Sequence, residues 1–209
     1  MTLQELYLLS PEISMALLVG VIIVLDLISK NKKLLPIVGL IGLLAPLYFS
    51  ISLSNSTPNV GFSSALSVDE FSLFFKYLII FAVAIVLLIS IEFGKQFEKI
   101  QGEYYSLILL AASGMLLLVS ATELITIYIA LELTALPTAA LAAFLRNGRS
   151  AEAGIKFLLL SAISSAILLY GMVLTYGFTG TTYLPEIVVR IQEIIGSSET
   201  ILDSGVLIF

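Results

Sequence analysis

The sequence contains no cysteine, no histidine and no tryptophan. The lack of cysteine and histidine excludes disulfides, thiolate or imidazole zinc sites, cysteine-held iron–sulfur clusters and His- or Cys-based catalytic arrangements. Charge is also scarce, because only 12% of the residues are Asp, Glu, Lys or Arg. We therefore expect no catalytic residue and no metal site in this chain.

Basic residues are few and dispersed. Ten Lys and Arg stand against 15 Asp and Glu, which gives a net charge of -5. Most of the bases lie singly or in small groups in short loops, and they form no basic stripe of the kind that nucleic acid requires. Nucleic-acid binding is therefore excluded as a function.

Apolar residues dominate the composition. They make up 59% of the 209 residues, and the mean hydropathy is +1.09. A soluble domain of this length could not bury so much apolar surface, so the lipid bilayer must be the solvent. About 20 mostly apolar residues are needed to cross a bilayer, and six stretches meet this requirement: 11–28, 34–53, 71–91, 104–120, 124–145 and 151–178.

The C-terminal 26 residues contain two further features. Residues 184–196 form an amphipathic pattern, which predicts a helix either on the outer membrane interface or packed on the other helices. From residue 204 the sequence turns apolar again and stops after one turn. We thus predict an all-α, polytopic transmembrane bundle of about six spans plus the start of a seventh, from the N-terminal part of a longer protein.

The basic residues favour one orientation of the bundle. Seven of them lie in alternate loops, whereas the other loops contain only Arg190. Under the positive-inside rule this asymmetry places the N-terminus outside and the loops after the first, third and fifth spans in the cytoplasm. The seven are Lys30, Lys32, Lys33, Lys95, Lys99, Arg146 and Arg149.

Several ionisable residues near the ends of the spans have local explanations. Asp26 lies four residues before Lys30, which predicts an ion pair at the interface. Lys76 and Lys156 lie about 8 Å into their helices, within the reach of a snorkelling lysine. Lys156 has a second option, an ion pair with Glu152 one turn away. We therefore predict a snorkelling role for Lys76, whereas Lys156 could either snorkel or pair.

Glu132 cannot be explained in this way. It lies eight residues into its span, about 12 Å from the outer end, and its side chain is too short to snorkel. It shares a helix side with Ala135, Ala139 and Ala143, and small residues mark the surfaces where membrane helices pack closely. Glu132 is therefore predicted to face protein rather than lipid.

Pro137 follows Glu132 by five residues. A proline has no N–H, so the carbonyl of Leu133 loses its helical donor close to the carboxyl group. A carboxyl group beside freed backbone is typical of a proton or cation path. The alternative is a protonated glutamic acid that only forms a hydrogen bond between helices.

The same residues resemble a known family. Leu-Glu-Leu at 131–133 followed by Pro137, Glu-Ala-Gly-Ile-Lys at 152–156, Ser-Ser-Ala at 164–166 and Leu-Ser-Pro-Glu at 9–12 resemble the antiporter-like membrane subunits of proton-translocating NADH:quinone oxidoreductase, respiratory complex I. Within that family the resemblance is to subunit N, also called subunit 2. It extends over essentially the whole chain.

The resemblance implies a proton-translocating membrane subunit without a redox centre. It assigns the proton path to Glu132 and Lys156, and a helix break to Pro137. It also divides the chain into three N-terminal helices, 1–103, and the truncated first part of an antiporter-like domain, 104–209. The family's partner lysine on helix seven lies beyond this sequence.

The resemblance further implies partners and a location. The partners would be the lipid bilayer and other complex I membrane subunits in a bacterial inner membrane. The whole complex would use NADH, FMN, iron–sulfur clusters and a quinone, none of them bound by this chain. Two alternatives remain, a subunit of a multi-subunit sodium/proton antiporter and a membrane scaffold in which Glu132 is only structural.

Overall fold

The computed structural model describes residues 3–29, 32, 34–54, 59–61, 65–94 and 100–203. Helices dominate this part of the chain, and two short strands interrupt them. In chain order the elements are α1 Leu3–Leu8, α2 Ser10–Ile28, α3 Leu34–Gly42, α4 Leu44–Ser54, β1 Asn59–Gly61, β2 Leu66–Val68, α5 Glu70–Gly94, α6 Gln101–Ser120, α7 Leu124–Ala142, α8 Gly148–Thr179 and α9 Leu184–Asp203.

Among the described residues, six helical segments are long and apolar enough to cross a membrane. The second of them, Leu34–Ser54, consists of α3 and α4, which meet at Leu43. The prediction of a polytopic helix bundle with about six spans is therefore confirmed. The predicted start of a seventh span, 204–209, lies outside the described residues.

Local sequence signals explain where the last spans begin and end. α8 starts with a capping box, in which the Asn147 side chain accepts a hydrogen bond from the Ser150 amide and the Ser150 hydroxyl accepts one from the Asn147 amide. It ends at Thr179 and is followed by Gly180, whose φ of 72° suits a residue without a side chain. α7 ends at Ala142, three residues earlier than predicted, because the chain turns there and reaches a φ of 51° at Arg146.

The main hydrophobic core is formed by α2, α3, α5 and α6. Its fully buried members include Met15, Ile22, Leu87 and Leu109. α6 lies in the middle of the bundle, since it contacts α2 and α5 as well as α7. α8 is the outermost span, and its side chains are largely exposed in the isolated chain.

Three connections meet at one end of the bundle. A hairpin of β1 and β2 forms there, and β2 extends to the α6–α7 connection through a bridge between Leu66 and Ala121. A second bridge joins Glu123 to Tyr183 before α9. The alternate loops after α4, α6 and α8 thus lie on the same side, as the predicted topology requires.

α9 begins at Leu184, as predicted, and extends to Asp203. Ile187 is buried, while Ile191, Ile194 and Ile195 line a cleft together with the end of α8. The apolar side of α9 therefore lies towards α8, which favours the packed arrangement over a helix that contacts only the membrane interface.

Candidate functional site

Glu132 lies near the middle of α7, eight residues after its start at Leu124. Its side chain is half-buried. On the same side of α7, Ala139 is buried, and a side chain on Gly154 of α8 would meet the Ala143 methyl group at 2.5 Å. The small residues therefore do mark a close helix contact, as predicted, but Glu132 itself is only partly covered.

The carboxyl group of Glu132 has no hydrogen bond or ion pair to any other described residue. One turn nearer the start of α7, Tyr128 lines a cleft of 450 Å³ between α7 and α8. The walls of this cleft on α8 are Leu169, Met172, Val173 and Tyr176. Glu132 lies one turn of α7 beyond Tyr128 and is not one of the residues that line this cleft.

Pro137 is buried inside α7, and the helix continues through it to Ala142. Two threonines donate to backbone carbonyls on either side of Glu132: Thr134 to Ala130 at 3.0 Å and Thr138 to Thr134 at 2.7 Å. Threonine hydroxyls commonly satisfy backbone groups near a membrane proline. The backbone beside Glu132 is therefore rich in polar groups although α7 is not broken.

α6 holds this part of α7 at very short range. At Gly114 an added methyl group would lie 2.5 Å from Oγ1 of Thr134, 2.8 Å from its amide nitrogen and 2.9 Å from the carbonyl carbon of Leu133. Only a residue without a side chain fits such an approach. Gly114 thus fixes the position of the backbone next to Glu132.

Lys156 forms an ion pair with Glu152, one of the two roles that the sequence predicted. Both side chains are more than half exposed in the isolated chain, at 69% and 63%. No ion pair connects Lys156 to Glu132 among the described residues. The structure therefore does not bring the two predicted proton-path residues into contact.

The prediction that Lys76 snorkels was wrong. Lys76 is fully buried, and its Nζ lies 2.8 Å from Oε1 of Glu12 on α2. α5 directs Lys76 towards α2 and α6 instead of the membrane interface, so the ammonium group is neutralised by an acid inside the protein. A signal was present in the sequence, since an acid and a base lie near the same end of the first and third spans.

Asp26 forms an ion pair near the end of α2. Its carboxylate pairs with Lys32 at 2.7 Å, whereas Lys30 lies outside the described residues. Gly102 at the start of α6 provides the space, because an added methyl group would lie 2.2 Å from the Asp26 carboxyl carbon. At the same end, Arg146 pairs with Glu103 at 3.2 Å on the protein surface.

In the part of the chain that the structure describes, no group of three or more acidic residues is arranged to hold a metal ion. The fold and the site together define a multi-pass helical membrane protein in which one span contains a mid-membrane carboxyl group. Residues 121–209 match the family described as "NADH:quinone oxidoreductase/Mrp antiporter, TM".

Comparison with individual curated proteins points to one particular subunit within this family. Over 183 residues the chain is 38% identical to NADH-quinone oxidoreductase subunit N of Dehalococcoides mccartyi. This alignment covers 87% of this chain and 38% of that protein. Over 204 residues the chain is 35% identical to subunit N of Trichlorobacter lovleyi, covering 96% and 42%. The resemblance to subunit N that the sequence predicted is therefore confirmed.

A solved structure gives the same result. The chain matches a subunit of respiratory complex I from Thermus thermophilus, solved with bound aureothin, with a TM-score of 0.71 and 29% identity. This match covers 83% of the chain and 38% of that subunit. The chain thus spans about two fifths of the length of the proteins it matches.

Proposed function

We propose that this chain is part of a membrane subunit of NADH:quinone oxidoreductase that contributes to proton translocation coupled to quinone reduction. The similarity to subunit N over nearly the whole chain supports the proposal most strongly. The chain takes part in the enzyme as a non-redox subunit. Its partners are the lipid bilayer and the other membrane subunits of the complex.

Glu132 is the proton-carrying residue in this proposal. A carboxyl group about 12 Å from the end of a span is costly to ionise in hydrocarbon, so such residues usually serve transport. Its freedom from any described partner leaves both oxygens available for a proton. Lys156 would form the cytoplasmic side of the path, and Pro137 would weaken the backbone of α7 near Glu132.

The remaining assignments follow the same proposal. Residues 1–103 are the three N-terminal spans, and 104–209 are the first part of the proton-translocating domain. The complex resides in a bacterial inner membrane, with the N-terminus of this subunit outside. NADH, FMN, iron–sulfur clusters and quinone would all be bound by other parts of the complex.

A second candidate function is a subunit of a sodium/proton antiporter. The matching family supports this second candidate, because its description also includes Mrp antiporters. The candidates differ in their energy source. A complex I subunit supports proton movement only while NADH is oxidised, whereas an antiporter subunit responds to an imposed sodium gradient.

The test is a Glu132→Gln variant of the complete subunit, assembled in its complex in inverted membrane vesicles. Glutamine keeps the shape and hydrogen bonding of the side chain but cannot ionise. We expect normal assembly, measured as NADH oxidation in uncoupled vesicles, and a reduced ratio of protons moved per electron. Glu103→Gln, at an exposed position, is the matched control and should behave like wild type. Wild-type pumping by Glu132→Gln would show that the carboxyl group is only structural.

A further inference from the structure

Three spans converge on the buried ion pair described above. Glu12 lies in the first turn of α2, Lys76 in α5, and Ser120 at the end of α6. The Ser120 hydroxyl donates to Oε1 of Glu12 at 3.4 Å, and Lys76 approaches the same oxygen at 2.8 Å. The proton path proposed on α7 uses none of these three residues.

Apolar layers flank the pair in both directions along α5. On the outer side Leu73, three residues before Lys76, belongs to a cluster that also contains Leu8, Leu53 and Val68. On the inner side Ile80, four residues after Lys76, belongs to the main core. A charge pair between two such layers has lost most of its hydration.

The contacts of the pair are incomplete. Oε2 of Glu12 and Nζ of Lys76 are buried, and neither takes part in a hydrogen bond with the described residues, although the two side chains form an ion pair. Buried polar atoms without partners are uncommon and call for an explanation. Oε2 therefore has room to bind a proton without breaking the contact between Oε1 and Lys76.

Stability alone does not explain these charges. Replacing a buried ion pair by apolar residues of similar volume is often neutral or stabilising, because the attraction hardly offsets the desolvation of both ions. An ionisable group within a membrane is more often related to transport. The pair lies next to the α6–α7 connection, where Ser120 is followed closely by the helix that contains Glu132.

We propose that Glu12, Lys76 and Ser120 form a second site that holds an exchangeable proton. On uptake a hydronium ion breaks one O–H bond, a new O–H bond forms on Oε2 of Glu12, and Lys76 stays an ammonium ion. The site then has a net charge of +1, and release of the proton to water reverses the step. The inference rests on the proposed proton-translocating function.

The test replaces both charges in the complete subunit within its complex, as Glu12→Met together with Lys76→Met. The apolar pair keeps the volume and leaves no unpaired buried ion. We expect NADH oxidation in uncoupled vesicles to stay at the wild-type level and the ratio of protons moved per electron to fall. The matched control is Glu103→Gln with Arg146→Gln, an exposed ion pair at the other end of the bundle, which should leave both measurements unchanged.

The possible outcomes distinguish failure of this second site from failure of the proposed function. If wild-type vesicles pump protons and the methionine variant gives the same ratio, the site holds no transported proton. If the methionine variant does not assemble while the control does, the charges are structural and the inference is again wrong. Absence of pumping by the wild-type complex would instead reject the proposed function, and with it this site.

Discussion

Gly114→Ala should separate α6 from α7 beside Glu132. The new methyl group would lie 2.8 Å from the Thr134 nitrogen and 2.9 Å from the Leu133 carbonyl carbon, whereas ordinary contacts between heavy atoms are about 3.5–4.0 Å. Both are backbone atoms of α7 and cannot turn aside, so the helices would have to move apart by at least about 0.7 Å. Overpacking of this kind costs about 1–3 kcal/mol of stability.

Gly20→Ala on α2 is the matched control, because its added methyl group meets nothing within 4 Å. At such a position the same change raises helix propensity by up to about 1 kcal/mol. Thermal unfolding of the purified protein in detergent measures both variants. We expect a lower midpoint for Gly114→Ala and an equal or higher one for Gly20→Ala. Equal midpoints for Gly114→Ala and wild type would refute the argument that α6 and α7 are in closest contact there.

Three further predictions concern the two ends of the bundle. Cysteines introduced at positions 56 and 198 should react with an impermeant thiol reagent from outside, and one at position 147 should not; the reverse pattern would overturn the proposed orientation. Asn147→Ala removes the acceptor of the Ser150 amide and should lower stability by about 0.5–2 kcal/mol in thermal unfolding, whereas Asn147→Ser should retain most of it. Glu123→Ala removes the acceptor of the Thr126 and Thr182 hydroxyls, each at 2.9 Å. Limited proteolysis should therefore cut the connection before α9 faster than in wild type. An unchanged rate of cleavage would contradict this role of Glu123.

The course of the chain through the membrane could be predicted because it depends on local composition. A span must be long and apolar to cross hydrocarbon. Helices such as α5 and α8 can therefore be recognised from the sequence without any tertiary information. The exact ends were less predictable. α8 begins at Gly148, since the capping box at Asn147 determines its start more strongly than hydropathy does.

The candidate site was predicted only in part. Glu132 was proposed because its depth can be counted along one helix. The ion pair of Lys156 was predicted because Glu152 lies one turn away on the same helix. The role of Lys76 was predicted wrongly. Its distance from the helix end permits snorkelling, and only the packing of α2 and α5 against α6 shows that the amine meets Glu12.

The sequence by itself determined the solvent, the number of spans and the position of a carboxyl group within one of them, because these properties follow from hydrophobicity and helical rise along the chain. The tertiary structure alone decided which charges meet. Lys76 is separated from Glu12 by two intervening helices in the sequence, yet the two side chains come within 2.8 Å. Contacts between spans depend on how the helices are rotated about their axes and packed together, and no periodicity within a single helix contains that information.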